Sequence, residues 1–331
     1  MLPNPTVHII NPFSAISGGS EWEAASIYQA VNDATRTHLW YPSWHWEPPH
    51  PEFVRSLPLR RIEPKRLRVP WRGNVVQVGL YYNGLSRTMR WIKPRRVILL
   101  CNLLNREQLN SSIEQVEALG LGDRLEFVFC SHLVREWAGY EGFVSPSPID
   151  LSRFSFGKRR TNDARSFTVG RLSRDTRDKF HEEDPALLEA LAAEGMQVDI
   201  LGGTCLAEEV NHPNVTLRAA GSVDAVSFLR GLDCFYYRLP EDAAEPFGRV
   251  VVEAMATGLP VVAHASGGYA AYITHGTDGF LFETAEEAHR LIERLRHDRT
   301  LRLTIGKAAR QRVETLYGPE ATQAMIDFYT K

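Results

Sequence analysis

Two glutamates eight residues apart, Glu245 and Glu253, stand in the segment AEPFGRVVVEAMATGLPVVAHASGG at residues 244–268. Pro246 follows the first, and proline at the first helical position is a start signal. The helix so predicted, over residues 247–257, carries Glu253 inside the apolar run VVVEAMA. An ionised carboxylate there is costly unless it finds hydrogen-bond donors; a solvent-facing Glu253 is the other reading the spacing allows. At 1.5 Å per residue Glu253 lies roughly 9 Å along the axis from Phe247. One carboxylate can then take hydroxyls of a sugar ring while the other takes those of a ribose. Gly248 removes a side chain near the helix start. The free main-chain amides of Phe247, Gly248 and Arg249, with the positive end of the helix dipole, suit a phosphate or an anionic sugar transition state. A diphosphate between two hydroxyl-binding carboxylates is the ligand this pattern fits.

Two glycine pairs invite the same question. Gly18 and Gly19 follow the first strand, where backbone amides can face a phosphate, and Gly202-Gly203 follow VDIL. A tight turn made for packing is the competing account of both. Neither place spells GxGxxG, and GxxxxGK[ST] is absent, which counts against nicotinamide and P-loop enzymes.

The elements that must hold these residues are legible as alternating strands and helices. VHIIN (7–11), VVQVGLY (75–81), VILLC (97–101) and LEFVFC (125–130) read as buried strands, with helices over 21–31 and 104–119. SFTVG (166–170), VDILG (198–202), VTLRAAG (215–221), DCFYY (233–237) and LPVVAH (259–264) continue the pattern, with a helix over 184–194 and a helical tail broken at Gly318-Pro319. Apolar strands without period-two polarity argue for parallel sheets covered on both faces. The length of 331 residues suggests two domains. We place a first domain at 1–150, an aperiodic Pro-rich and charged linker at 151–165, and a second domain at 166–318. Two doubly wound domains bind ligand at the carboxyl ends of their sheets.

The spacing E-P-F-G-x4-E-A-M-A-x-G-x-P-V-V closely resembles the E-x7-E signature of the retaining GT-B glycosyltransferases of the large fourth sequence family, the group 1 enzymes. The resemblance covers most of the second half. It implies a GT-B fold, two Rossmann-like domains facing each other across a cleft, with the helix at 319–331 crossing back onto the first. It implies that Glu253 binds the nucleotide ribose and Glu245 the transferred sugar, with the main chain of Phe247, Gly248 and Arg249 at the sugar and phosphates. The family's G-R-L turn is met by Gly170, Arg171 and Leu172, and its lysine by Lys179, with Arg174 and Arg177 as competitors. Two fixed cations would neutralise the departing nucleoside diphosphate, so no metal and no cofactor is expected. Two departures stand out. Tyr269-Ala270-Ala271 replaces a glutamate that relatives often carry, and Asn102 and Asn105 stand after VILLC where a histidine is common. No general base is assigned; His132 reads as a helix-start or core residue.

Composition bounds the rest. Hydrophobic content of 44% and charged content of 24% are those of a soluble globular protein. The four cysteines form no CxxC pair, which fits a reducing compartment and no zinc site. The net charge of −2 hides a stretch from Arg55 to Arg96 with twelve basic residues against Glu63, and all seven tryptophans lie in the first 137 residues. Trp44 and Trp46, among prolines at 41–53, are candidate acceptor-side residues with Asn102. The basic stretch suits an anionic glycan or lipid-linked acceptor, or an anionic membrane surface, with nucleic acid the less favoured partner. The function expected is retaining sugar transfer to a polysaccharide or glycolipid precursor, in the cytoplasm or at the inner membrane face. The rivals are another GT-B activity (an epimerase or a phosphorylase) and a non-catalytic sugar- or nucleotide-binding subunit.

Overall fold

The computed structural model describes residues 5–15, 19–82, 85, 92–157 and 166–331. They form two compact units, Met1–Pro148 with Tyr317–Lys331, and Ile149–Leu316.

In the first unit seven strands are β1 (Val7–Ile10), β2 (Thr37–Pro42), β3 (Leu59–Ile62), β4 (Asn74–Val78), β5 (Arg96–Cys101), β6 (Leu125–Phe129) and β7 (Phe143–Val144). All pair in parallel, in the order β3-β2-β1-β4-β5-β6-β7. Every residue of β1, β4 and β5 is buried, as a parallel sheet covered on both faces demands. Helices α1 (Gly19–Asn32), α2 (Pro51–Ser56), α3 (Arg106–Ala118) and α4 (His132–Ala138) connect the strands. Asn105 and Ser131 cap α3 and α4 through their side chains. His132 is thus an exposed first-turn residue.

In the second unit β8 (Thr168–Leu172), β9 (Gln197–Leu201), β10 (Val215–Arg218), β11 (Cys234–Tyr237), β12 (Val261–His264) and β13 (Phe280–Phe282) make a parallel sheet ordered β10-β9-β8-β11-β12-β13. The order reverses between β8 and β11, so the loops after those two strands flank the crevice where doubly wound sheets take their ligands. Its helices are α5 (Asp184–Ala193), α6 (Ala225–Gly231), α7 (Arg249–Ala256), α8 (Ala285–His297) and α9 (Arg299–Leu316). Thr284 caps α8, whose first turn holds Glu286 and Glu287 and whose last turn holds Arg294, Arg296 and His297, a charge order matched to the helix dipole.

The last helix, α10 (Pro319–Thr330), belongs to the first unit. Met325 and Tyr329 enter that unit's core with Val7, Ile9 and Val76. Asn74 Nδ2 donates to the Tyr329 carbonyl at 2.9 Å, Arg96 Nη1 to that of Phe328 at 2.6 Å, and the Phe328 ring stacks on Phe143 at 4.7 Å. The first residues of the expected linker are part of the second unit. Phe154 is buried, Arg310 Nη1 donates to its carbonyl at 2.8 Å, and Arg153 pairs with Asp224 at 3.2 Å. Residues 158–165 lie outside the described residues.

One buried group ties the first unit to pH. His8 on β1 accepts the Trp40 indole N–H on Nδ1 at 3.1 Å and is 4% exposed. Burial, then His38 and Arg60 nearby, lowers its imidazole from 6.5 to about 4. The folded state therefore holds the neutral ring. That contribution is complete above the unfolded value of 6.5 and is lost as pH falls from there towards 4. By pH 5 the loss should be about 2 kcal/mol and by pH 4 about 3 kcal/mol. Denaturant unfolding of wild type and His8→Leu across this window measures it. The variant should be less stable at pH 7 and show a flatter acid limb; parallel limbs would refute the assignment.

Candidate active site

The site in the second unit is built on the reversal between β8 and β11. Gly170 lies in β8 opposite Asp199 of β9. A Cβ on it would stand 2.2 Å from the Asp199 carbonyl oxygen and 2.7 Å from Leu232. This glycine, expected on the donor side, is thus required by the close approach of neighbouring chain. Arg171 follows it. Its guanidinium, expected to face a leaving phosphate, is fully buried: Nη1 bonds Asp184 Oδ2 at 3.1 Å and the Arg238 carbonyl at 2.9 Å, and Nη2 the Lys179 carbonyl at 2.5 Å.

Lys179 does reach Glu245. Its Nζ lies 3.2 Å from Glu245 Oε2, and the same oxygen accepts from the Tyr237 hydroxyl at 2.8 Å. The competing cations are engaged elsewhere, Arg177 with both oxygens of Glu209 at 2.8 and 3.0 Å and Arg174 with Asp178 at 3.4 Å. Burial, then the Glu245 carboxylate, pushes the Tyr237 phenol well up, so it stays a donor. Glu245 also fixes the loop behind it, accepting the Gly268 amide on its carbonyl at 2.8 Å.

Gly248 has φ +81° and is the capping residue just ahead of α7; with Phe247 buried edge-on to Tyr272 at 5.9 Å, it sets the helix entry. Glu253 is buried, not solvent-facing, and Arg249 Nε pairs with its Oε1 at 2.8 Å. Burial raises the Glu253 carboxyl, and Arg249 opposes the rise. Tyr269, the first residue of one of the two departures noted in the sequence, is a packing residue. It is 1% exposed, meets Tyr237 edge-on at 5.7 Å, and lies where side chains on Gly248 or Gly267 would stand.

The remaining candidates belong to the first unit. Gly18 lies outside the described residues; Gly19 is exposed at the start of α1 with nothing within 4 Å of a Cβ. Asn102 Nδ2 bonds Glu23 Oε2 at 2.8 Å, and Ser147 bonds the other oxygen at 2.7 Å. Trp46 is 83% exposed and Trp44 half-buried. Of the twelve basic residues, Arg87 and Arg90 lie outside the described residues, Arg96 is buried against Glu126 at 2.6 Å, and the rest are exposed.

The sequence reading missed Asp184, Tyr236, Tyr237 and Arg238 in the second unit and Glu23 in the first. Asp184-Pro185 at a helix start was the available signal for the first of these. Among the described residues no cluster of three or more metal-ligating side chains occurs, no helix is long and apolar enough to cross a membrane, and the four cysteines form no disulfide.

Residues 205–312 match the family model described as glycosyl transferases group 1. The chain is 26% identical over 198 residues to the capsular polysaccharide biosynthesis glycosyltransferase CapM of Staphylococcus aureus, covering 54% of this chain and 51% of CapM. It is 35% identical over 118 residues to human alpha-1,3/1,6-mannosyltransferase ALG2, covering 35% of this chain and 27% of ALG2. The chain thus spans about half or less of these relatives. Anabaena Alr3699/HepE, solved with UDP and glucose, superposes with a TM-score of 0.72 at 16% identity over 98% of both chains. The two parallel-sheet units have the GT-B fold.

Proposed function

We propose, for a GT-B chain carrying a group 1 glycosyl transferase region at residues 205–312, retaining transfer of a sugar from a nucleoside diphosphate to an acceptor hydroxyl. The observation that carries this reading is Glu245, held by Lys179 and Tyr237 beside the β8/β11 crevice, eight residues ahead of the buried Glu253. In it Glu253 takes the ribose hydroxyls and Glu245 the hydroxyls of the transferred sugar. The main chain of Phe247, Gly248 and Arg249 flanks the phosphates. As the bond from the anomeric carbon to the phosphate oxygen breaks, its electron pair goes to the diphosphate, whose growing charge meets the Lys179 ammonium and the α7 dipole. The acceptor oxygen bonds the anomeric carbon on the same face and gives its proton to the leaving phosphate. Arg171, whose guanidinium is used up inside the protein, is not given the phosphate, and the scheme calls on no metal. The exposed basic residues between Arg55 and Arg95 favour an anionic acceptor, a glycan or a lipid-linked precursor met in the cytoplasm at a membrane surface.

Calorimetry and thermal shift across nucleoside diphosphates, nucleotide sugars and NAD test the donor site. One nucleoside diphosphate should bind wild type and stabilise it by about 2.7 kcal/mol at a hundredfold excess over Kd. Glu253→Ala should weaken that binding about 10²-fold, the loss of charge-assisted bonds to two hydroxyls. Binding of NAD alone, or an unweakened Glu253→Ala, overturns the reading.

A further inference from the structure

The structure assigns Asp184 and Arg171, a buried pair, the task of positioning Lys179 and Glu245, an inference that rests on the donor reading above. Asp184 opens α5 with no exposure. Its Oδ1 accepts from the Tyr236 hydroxyl at 2.6 Å, and its Oδ2 from the His181 amide and from Arg171 Nη1, each at 3.1 Å. Arg171 is thereby fixed from behind. In front it donates to the Lys179 carbonyl at 2.5 Å, and its guanidinium carbon lies 4.3 Å from the Phe180 ring centre and 4.8 Å from that of Tyr237. Lys179 and Tyr237 are the two side chains that bond Glu245 Oε2. Both partners of Glu245 are therefore mounted on one guanidinium, one through its main-chain carbonyl and the other through its ring face.

A planar fork that stacks and donates in fixed directions does this, and a lysine cannot. A buried ion pair is often no more stable than apolar residues of the same volume, so stability alone gives no reason for charge here; fixing two neighbours does. Arg171 then acts through Lys179 and Tyr237, as a positioning residue, and Asp184 acts through Arg171.

The test compares Arg171→Met, Asp184→Asn and the apolar pair Arg171→Met/Asp184→Leu, which guards against misfolding by leaving no lone buried charge. Acylation of Lys179 by an amine reagent, read by mass spectrometry against exposed Lys307, should rise about tenfold in each, the size of a lost coupling between contacting residues. General loosening would move both lysines together. In turnover, adding Arg171→Met to Lys179→Ala/Tyr237→Phe, which removes both groups it acts through, should cost nothing further, since groups acting as one unit are not additive. Unchanged Lys179 reactivity in the apolar pair, or a further loss on adding Arg171→Met to Lys179→Ala/Tyr237→Phe, would overturn the inference. If wild type transfers no sugar, the proposed function fails, while the acylation result still decides the role of the pair.

Discussion

Lys179→Ala should lower kcat/KM for sugar transfer about 10²–10³-fold, the loss typical of one preorganised group at a developing charge. In the proposed scheme the lysine is held for that task. Its carbonyl is clamped by Arg171 and its ammonium lies 3.2 Å from Glu245, with the side chain only 19% exposed. The fall should appear mainly in kcat, because charge on the leaving diphosphate grows as the bond breaks. Little stability should go with it, since partly solvated ion pairs contribute about 0–1 kcal/mol. Steady-state kinetics beside a thermal melt separates the two. A loss under about tenfold would move the charge-stabilising role to another group.

Gly248→Ala is expected to cost about 2–5 kcal/mol, combining ~1–2 for a left-handed residue with a side chain and ~1–3 for overpacking. Its φ is +81°, and the new Cβ would stand 2.2 Å from Tyr269 Cδ1. Tyr269 has no room to yield, being 1% exposed and edge-on to Tyr237. Since Tyr237 bonds Glu245, any shift of Tyr269 is passed to that carboxylate, and donor affinity should fall with stability. Denaturant unfolding and nucleoside diphosphate calorimetry measure the two effects. A variant as stable as wild type would show that the loop relaxes in a way the geometry does not suggest.

The fold was legible where burial wrote itself as apolar runs. VILLC, LEFVFC, VDILG and DCFYY all correspond to strands, because a covered parallel sheet needs apolar side chains on both faces. The sequence hid β3, whose residues Leu59–Ile62 place Arg60 and Arg61 in solvent at a sheet edge, and β13, three residues long and lacking the length of a recognisable run. The site was legible in part for a similar reason. Glu245, Gly248 and Glu253 share one short segment whose spacing carries information. The partners of Glu245 and Arg171 come from other elements. Tyr236 and Tyr237 looked like ordinary strand aromatics, and nothing local to Asp184 tells which arginine, thirteen residues back, it will meet. Arg171 itself was found by motif, but its burial depends on α5 and β11 closing over it, which no single segment encodes.

The first unit is discontinuous in the chain, with α10 supplying Met325 and Tyr329 to its core, and this sets an order on its birth at the ribosome. Chains are made from the amino end at about 5–20 residues per second. The strands of the first sheet emerge early but wait through the whole of residues 149–316 before the helix that completes their core exists. The second unit is contiguous and can finish first. Until then the core that Met325 and Tyr329 complete stands open, so of the two units the one begun earlier is the one finished later, and the one more in need of a chaperone meanwhile.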